Sequence, residues 1–239
     1  FIKDAYGNIN WATTGGMIFC DNANFINNVK DVQFMYYHGL AINNNVCVFK
    51  NTNFKITGPL KSNALPDSRV SLYEVNGVKF LGCNFENTTG STIASPNYGI
   101  NSIDAIYTVD KLNTTNTTIK GFAQGLRVDN SNPLKLPMVK NTNFIGNLDN
   151  GAYFNNTNNL IFENNTFIVS SKISTQNYML YSNGLYINNS KYYTIKNNTF
   201  NSNLSEPQIN ENSGITVNNS QNGSHFIYKN NFGNLDYGI

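Results

Sequence analysis

Acids close together in sequence include Glu206 with Glu211, Asp104 with Asp110 and Asp21 with Asp31, and Asp104 and Asp110, with Lys111 beside them, are the pair to weigh for acid–base chemistry. A glycoside hydrolase needs two carboxyl groups roughly 5 to 9 Å apart. A polysaccharide lyase needs a basic group, often with calcium held by clustered carboxylates. The chain is poorly stocked for either, because it holds 14 acids in 239 residues and no two are adjacent. The competing reading of Asp104 is a turn acid that bonds local backbone. The two histidines, His38 and His225, have no partner residue in sequence. His225 falls at a position that Leu160 and Tyr193 occupy in other repeats, so a packed side chain is expected there. Cys20, Cys47 and Cys83 fit no zinc spacing and form an odd set, so they read as small buried residues. No metal or cofactor is expected, and no catalytic residue is assigned. Asp104 and Asp110 stand as fallback acids.

Binding chemistry has a stronger signal. Arg127, Tyr153, Tyr186 and Thr216 occupy the same place in successive copies of one motif. Tyrosine offers an apolar ring with a polar edge, which suits a sugar ring or a protein partner. Tyr178 and Tyr181 sit in a long insertion just before one of these copies and join the candidate ligand-binding set.

The motif that must position them is a repeat. Gly184-Leu185-Tyr186-Ile187-Asn188-Asn189 is its clearest copy. It recurs from Gly39, Gly125, Gly151 and Gly214, with Asp129 replacing one Asn. Val70, Gly99 and Gly238 begin degenerate, divergent and truncated copies. A second element follows each copy and ends in Phe after Asn or Thr, at Phe25, Phe54, Phe85, Phe144, Phe167, Phe200 and Phe232. Apolar residues stand five and seven positions before most of these. Each repeat thus reads as a strand, an Asn turn, a second strand, an Asn-Phe corner and a loop of variable length.

Alternation over three to six residues means short strands with one buried face. One repeat cannot bury its apolar face alone, but a stack of repeats buries a continuous core. The expected fold is all-β: a right-handed parallel β-helix of about eight coils over residues 1–239, a single domain cut at both ends from a longer helix. The pattern is weakest around residues 86–124. Stacked coils would place Phe on Phe and Asn on Asn at the strand spacing of about 4.8 Å. Asn tolerates the left-handed backbone of a sharp corner, and its amide bonds to the amide above. Like charges at that spacing repel, so Asn takes the place of charge.

Composition agrees. Charged residues make up 13%, while 16 Phe and 14 Tyr supply a core that a disordered Asn-rich chain would lack. Net charge is +2 with no basic run, which argues against a nucleic-acid partner. No apolar run is long enough for a membrane helix, and the strands are too short for a lipid-facing barrel. Long insertions come after Phe54, Phe85, Phe167 and Phe200, at one corner of the coil. Insertions stacked on one face often form a binding face.

The chain resembles the parallel β-helix repeats of the pectate-lyase-like superfold. It is similar to the Asn-rich β-helix regions of large secreted bacterial surface proteins exported by the type IX route, through Tyr98–Ala105, Ile119–Phe122 and Asn231–Ile239. Asn-rich adhesin-like proteins of gut archaea also resemble it, through Asn-Asn-Thr-Phe at 164–167 and 197–200. The resemblance implies export, an extracellular or cell-surface location and further domains on the same polypeptide. The expected function is a non-catalytic surface module for adhesion, matrix scaffolding or contact with a glycan or surface protein. The alternative is a carbohydrate-active enzyme domain, a polysaccharide lyase or glycoside hydrolase, with its site beside the long loops.

Overall fold

A computed structural model describes residues 17–38, 47–61, 67–89, 97–170, 181–203 and 211–239. The chain winds into a parallel β-solenoid of three sheets, with no helix among the described residues. One turn shows the plan. Met138–Lys140 lies in the first sheet, Thr142–Ile145 in the second and Asn150–Asn155 in the third. Each strand pairs in parallel with its counterpart from the next turn. The first and second sheets have eight strands and the third has seven. A full turn needs one strand in each sheet, so the seven-stranded sheet limits the described chain to seven turns, slightly fewer than expected. The Gly39 copy of the motif lies outside the described residues.

The turn has three sides where the sequence pattern implied two strands and a corner. The Asn-Phe element is itself a strand, as in Asn53–Ile56 and Thr199–Ser202. Such strands are too short to show alternation, and their ladder to neighbouring turns defines them. The weak region at 86–124 conceals a complete turn. Tyr107 and Val109 supply its first-sheet side, and Ile119 stands where other turns have Phe. The loop 111–116 displaces Ile119 from the usual spacing.

The core is one continuous file of apolar side chains. Phe25, Phe54, Phe85, Ile119, Phe144, Phe167, Phe200 and Phe232 follow one another along the second sheet. Adjacent rings stack at 4.6 Å between Phe54 and Phe85 and between Phe167 and Phe200. Burying each ring stabilises the fold by roughly 1.5–3 kcal/mol. The repeated glycine opens the third-sheet strand because a neighbour sits against its backbone. A Cβ on Gly151 would lie 2.6 Å from the Gly184 carbonyl oxygen and 2.7 Å from the Phe167 ring.

Asparagine turns the corners. Asn51, Asn141, Asn164 and Asn197 adopt left-handed backbone between the first and second sheets, and Asn156, Asn189 and Asn219 do so between the third and first. One residue further along, a buried amide ladder runs up the inside. The Asn165 N–H donates to Asn198 Oδ1 at 2.9 Å, and Asn198 Nδ2 donates to the Phe162 carbonyl at 3.1 Å. Cys83 occupies the same turn position as Thr52 and Thr117. Its thiol donates to the Phe49 carbonyl at 3.3 Å, and its N–H donates to Thr117 Oγ1 at 3.2 Å. It is therefore a hydrogen-bonding turn residue as well as a buried one, and burial pushes its thiol up to about 11.

Candidate functional site

The outward row expected from the repeats is present on the third sheet. Arg127 pairs with Asn101 on one side and Tyr153 on the other, and Tyr153, Tyr186 and Thr216 continue the file. Strand alternation puts these side chains outside, because Leu126 and Val128 on either side of Arg127 are fully buried. The Arg127 guanidinium lies 5.7 Å from the Tyr98 ring centre and 5.5 Å from that of Tyr153. Tyr153 and Tyr186 stack with centroids 5.6 Å apart and planes 20° from parallel. The result is one ladder along the solenoid axis: Tyr98, Arg127, Tyr153, Tyr186.

This geometry changes what the row offers a ligand. Rings in register at the strand spacing stand too close to lie side by side in one plane, so they overlap face to face. Arg127 and Tyr186 flank Tyr153, so its faces are spent inside the ladder. The row presents ring edges and hydroxyls, whereas the sequence pattern implied flat open faces.

A polar file runs beside it. Asp129, Asn155, Asn188 and Asn218 follow one another two residues further along each strand. Asn155 Nδ2 donates to Asp129 Oδ1 at 2.6 Å, Asn188 Nδ2 to Asn155 Oδ1 at 2.9 Å, and Asn218 Nδ2 to Asn188 Oδ1 at 3.2 Å. Asp129 Oδ2 also accepts a bond from Arg127 Nη2 at 2.8 Å. The two files are thus joined at Arg127 and Asp129, and Asp129 was not among the residues that sequence reasoning singled out. Its signal was visible as the one acid in the Asn-Asn turn motif.

The charge states on this face are fixed. Burial works against the Arg127 charge, but the Asp129 bond and the nearby Tyr98 ring outweigh it and raise its pKa. Burial would raise Asp129, yet the Asn155 amide and Arg127 bonds hold its carboxyl below the ordinary range. Burial, with the Asp129 charge nearby, raises the Tyr153 phenol. These shifts favour a protonated guanidinium at Arg127, an ionised carboxylate at Asp129 and a neutral phenol at Tyr153. A general acid or base works best with a pKa near the operating pH, and the environment moves Arg127 and Tyr153 further above that range and Asp129 further below it.

No protein-family model, curated protein or solved structure matches this chain.

The fallback acids are engaged in the frame. Asp104 has left-handed backbone (φ 49°) in the turn position that Asn156 and Asn189 fill on later turns. Its Oδ2 takes the Ser131 hydroxyl, and its Oδ1 accepts the Asn132 N–H at 2.7 Å. It thus ties together the turns of two coils, where the sequence reading had it bonding local backbone. Asp110 ends a first-sheet strand. Its Oδ1 accepts the Lys111 N–H and Asn141 Nδ2, both at 2.7 Å, and its Oδ2 faces Lys140 Nζ at 3.5 Å. Among the described residues Asp104 and Asp110 share no bonding partner. His225 stacks on Tyr193 at 4.3 Å, and its Nε2 contacts the Gln221 carbonyl at 2.9 Å, as a packed histidine would. Tyr178 lies outside the described residues. Tyr181 opens the strand Tyr181–Asn188 and pairs with Glu211.

The long insertions fall between second-sheet and third-sheet strands. They separate Asn53–Ile56 from Ser68–Tyr73, Asn84–Asn87 from Tyr98–Ile103, and Thr166–Val169 from Tyr181–Asn188. The same corner is short before Arg127 and Tyr153, at residues 121–123 and 146–149. The Arg127–Tyr153 segment therefore follows the tightest corners on the face.

Proposed function

We propose that this β-helix is a non-catalytic extracellular surface module that holds a glycan along the outer face of its third sheet. The observation that carries the reading is the ladder of Tyr98, Arg127, Tyr153 and Tyr186 fused to the amide file from Asp129 to Asn218. It presents a rigid, axial line of hydroxyl, guanidinium and amide groups, all fixed by neighbours on the same sheet. Such a line matches the hydroxyl edge of an extended polysaccharide, and preorganised donors lower the ordering cost of binding. The extracellular assignment and further domains on the same polypeptide rest on the resemblance to secreted Asn-rich β-helix regions. That resemblance also makes the pectate-lyase-like group the comparison class.

Affinity gel electrophoresis against a panel of soluble polysaccharides tests this. At least one polysaccharide should retard the wild-type chain. Arg127→Met and Tyr153→Ala should each weaken retention about tenfold, equivalent to about 1.4 kcal/mol. Lys79→Ala, on the first sheet, should leave it unchanged. Equal retention of all three variants would place the ligand elsewhere. Time-dependent release of reducing or unsaturated ends from the retained polysaccharide would turn the assignment to a carbohydrate-active enzyme.

A further inference from the structure

The outer face of the first sheet, around the Asn156 corner from the Arg127 ladder, carries a different pattern. Met138, Ile161, Thr194 and Phe226 are successive members of one outward file. Met138 is 50% exposed, Ile161 58% and Phe226 57%. Scattered surface apolar residues are ordinary, but here Met138 and Ile161 are adjacent and Phe226 follows beyond Thr194 in the same file, the kind of grouping a contact surface shows. Two residues further along the same strands lies a charged file, Asp110, Lys140, Glu163 and Lys196. Its signs alternate from turn to turn. Within the chain, Lys140 lies 3.5 Å from Asp110 and Lys196 3.0 Å from Glu163.

We propose that this face is a self-association surface on which a second copy of the chain docks antiparallel. The argument is one of symmetry. A two-fold axis lying in the interface along the strand direction lays each file on itself with its order reversed. A file reading minus, plus, minus, plus becomes plus, minus, plus, minus, so every carboxylate meets an ammonium. With the axis between Met138–Lys140 and Ile161–Glu163, Lys140 faces Glu163 of the second copy and Asp110 faces its Lys196. Met138 then meets Ile161 across the axis. One turn beyond the charged run at either end, Leu81 meets Tyr228. The other in-plane two-fold, along the solenoid axis, would press the charged file onto the apolar one, so the ion pairs would lose water and gain no opposite charge across the interface, which is disfavoured. The charge pattern therefore selects both the partner and its direction. The strands of this sheet are short, so the interface is at the small end of specific contacts, with affinity in roughly the micromolar range.

Sedimentation velocity on the full chain over a range of concentrations tests the proposal. The wild type should shift from one chain toward two as concentration rises. Lys140→Glu and Glu163→Lys should each remain single chains, because each sets like charges face to face. An equimolar mixture of the two variants restores every opposite-charge pair across the interface and should return the two-chain species, as should the double swap K140E/E163K. Circular dichroism checks that the swaps remain folded. Ile161→Ser, at an exposed position, gives a second loss-of-dimer variant that leaves the charged file untouched. A wild type that stays a single chain at the highest concentration overturns the proposal. So does a dimer indifferent to Ile161→Ser and to both charge swaps, or a mixture that fails to recover.

Discussion

Single side chains in this solenoid are judged by the neighbour one turn away. Glu86 lies between Lys55 and Lys120, at 3.5 and 3.3 Å. Burial would raise its pKa, but the two ammonium groups outweigh burial and lower it. A carboxyl whose folded pKa lies below its unfolded value adds stability above the unfolded value, and that stability is lost as pH falls through the folded one. Glu86→Gln should therefore lower the thermal midpoint near neutral pH and flatten its decline in acid, read from melting curves between about pH 2 and 6. Gly151 is judged in the same way. A methyl there meets a carbonyl oxygen and a ring at under 3 Å, so Gly151→Ala should cost about 1–3 kcal/mol, measured by urea unfolding. Arg69 is the exception in this column, taking the place that Gly99 holds one turn on. It is fully buried and donates to the Asn28 and Val29 carbonyls, both at 2.6 Å, with Asp31 at 3.4 Å.

Short strands of three or four residues hold together because the turns between them are as well bonded as the ladders. The buried side chain of Asn198 shows this. It accepts the Asn165 N–H, donates to the Phe162 carbonyl and reaches Asn230 Oδ1 at 3.1 Å. Asn198→Val would leave a buried donor and acceptor without partners, each costing about 1–3 kcal/mol. Chemical denaturation should therefore show a loss of about 2–4 kcal/mol. Asn198→Thr should be milder, because Thr52, Thr117 and Thr142 already serve this turn position. Thr142 itself donates its N–H to Asn165 Oδ1 at 3.1 Å. The asparagine pattern was legible in sequence as turns. Its division into an outer left-handed residue and an inner bonded residue was not, because consecutive Asn residues look alike until the backbone assigns one to each side.

Across the whole molecule, every ladder joins a strand to the turns before and after it, so stability is shared between neighbours. Strands paired on both sides should be the best protected. In hydrogen exchange, amides of Asn150–Asn155, held between Gln124–Asp129 and Tyr181–Asn188, should exchange slowest. Those of Phe226–Tyr228, paired only with Thr194–Lys196, should exchange far faster. Uniform protection along the solenoid would mean that it unfolds as one unit rather than turn by turn.

The sequence alone determined that like residues stack on like. The spacing of Phe, Gly and Asn specifies a winding chain with an aromatic core, since stacked repeats align a Phe column with an Asn column where a β-sandwich of equally short strands would not. The outward row of Arg127, Tyr153, Tyr186 and Thr216 followed from the same periodicity. The tertiary structure decided what stacking does to each group. Ring faces in the row became internal contacts because the strand spacing is shorter than a ring is wide. Asp129 became part of the site through a bond to Arg127 on its own strand and to Asn155 on the next turn, and Asp104 was drawn into a neighbouring turn. The alternating charges at Asp110, Lys140, Glu163 and Lys196 stand more than twenty residues apart in the chain, so only the register between turns makes them a file.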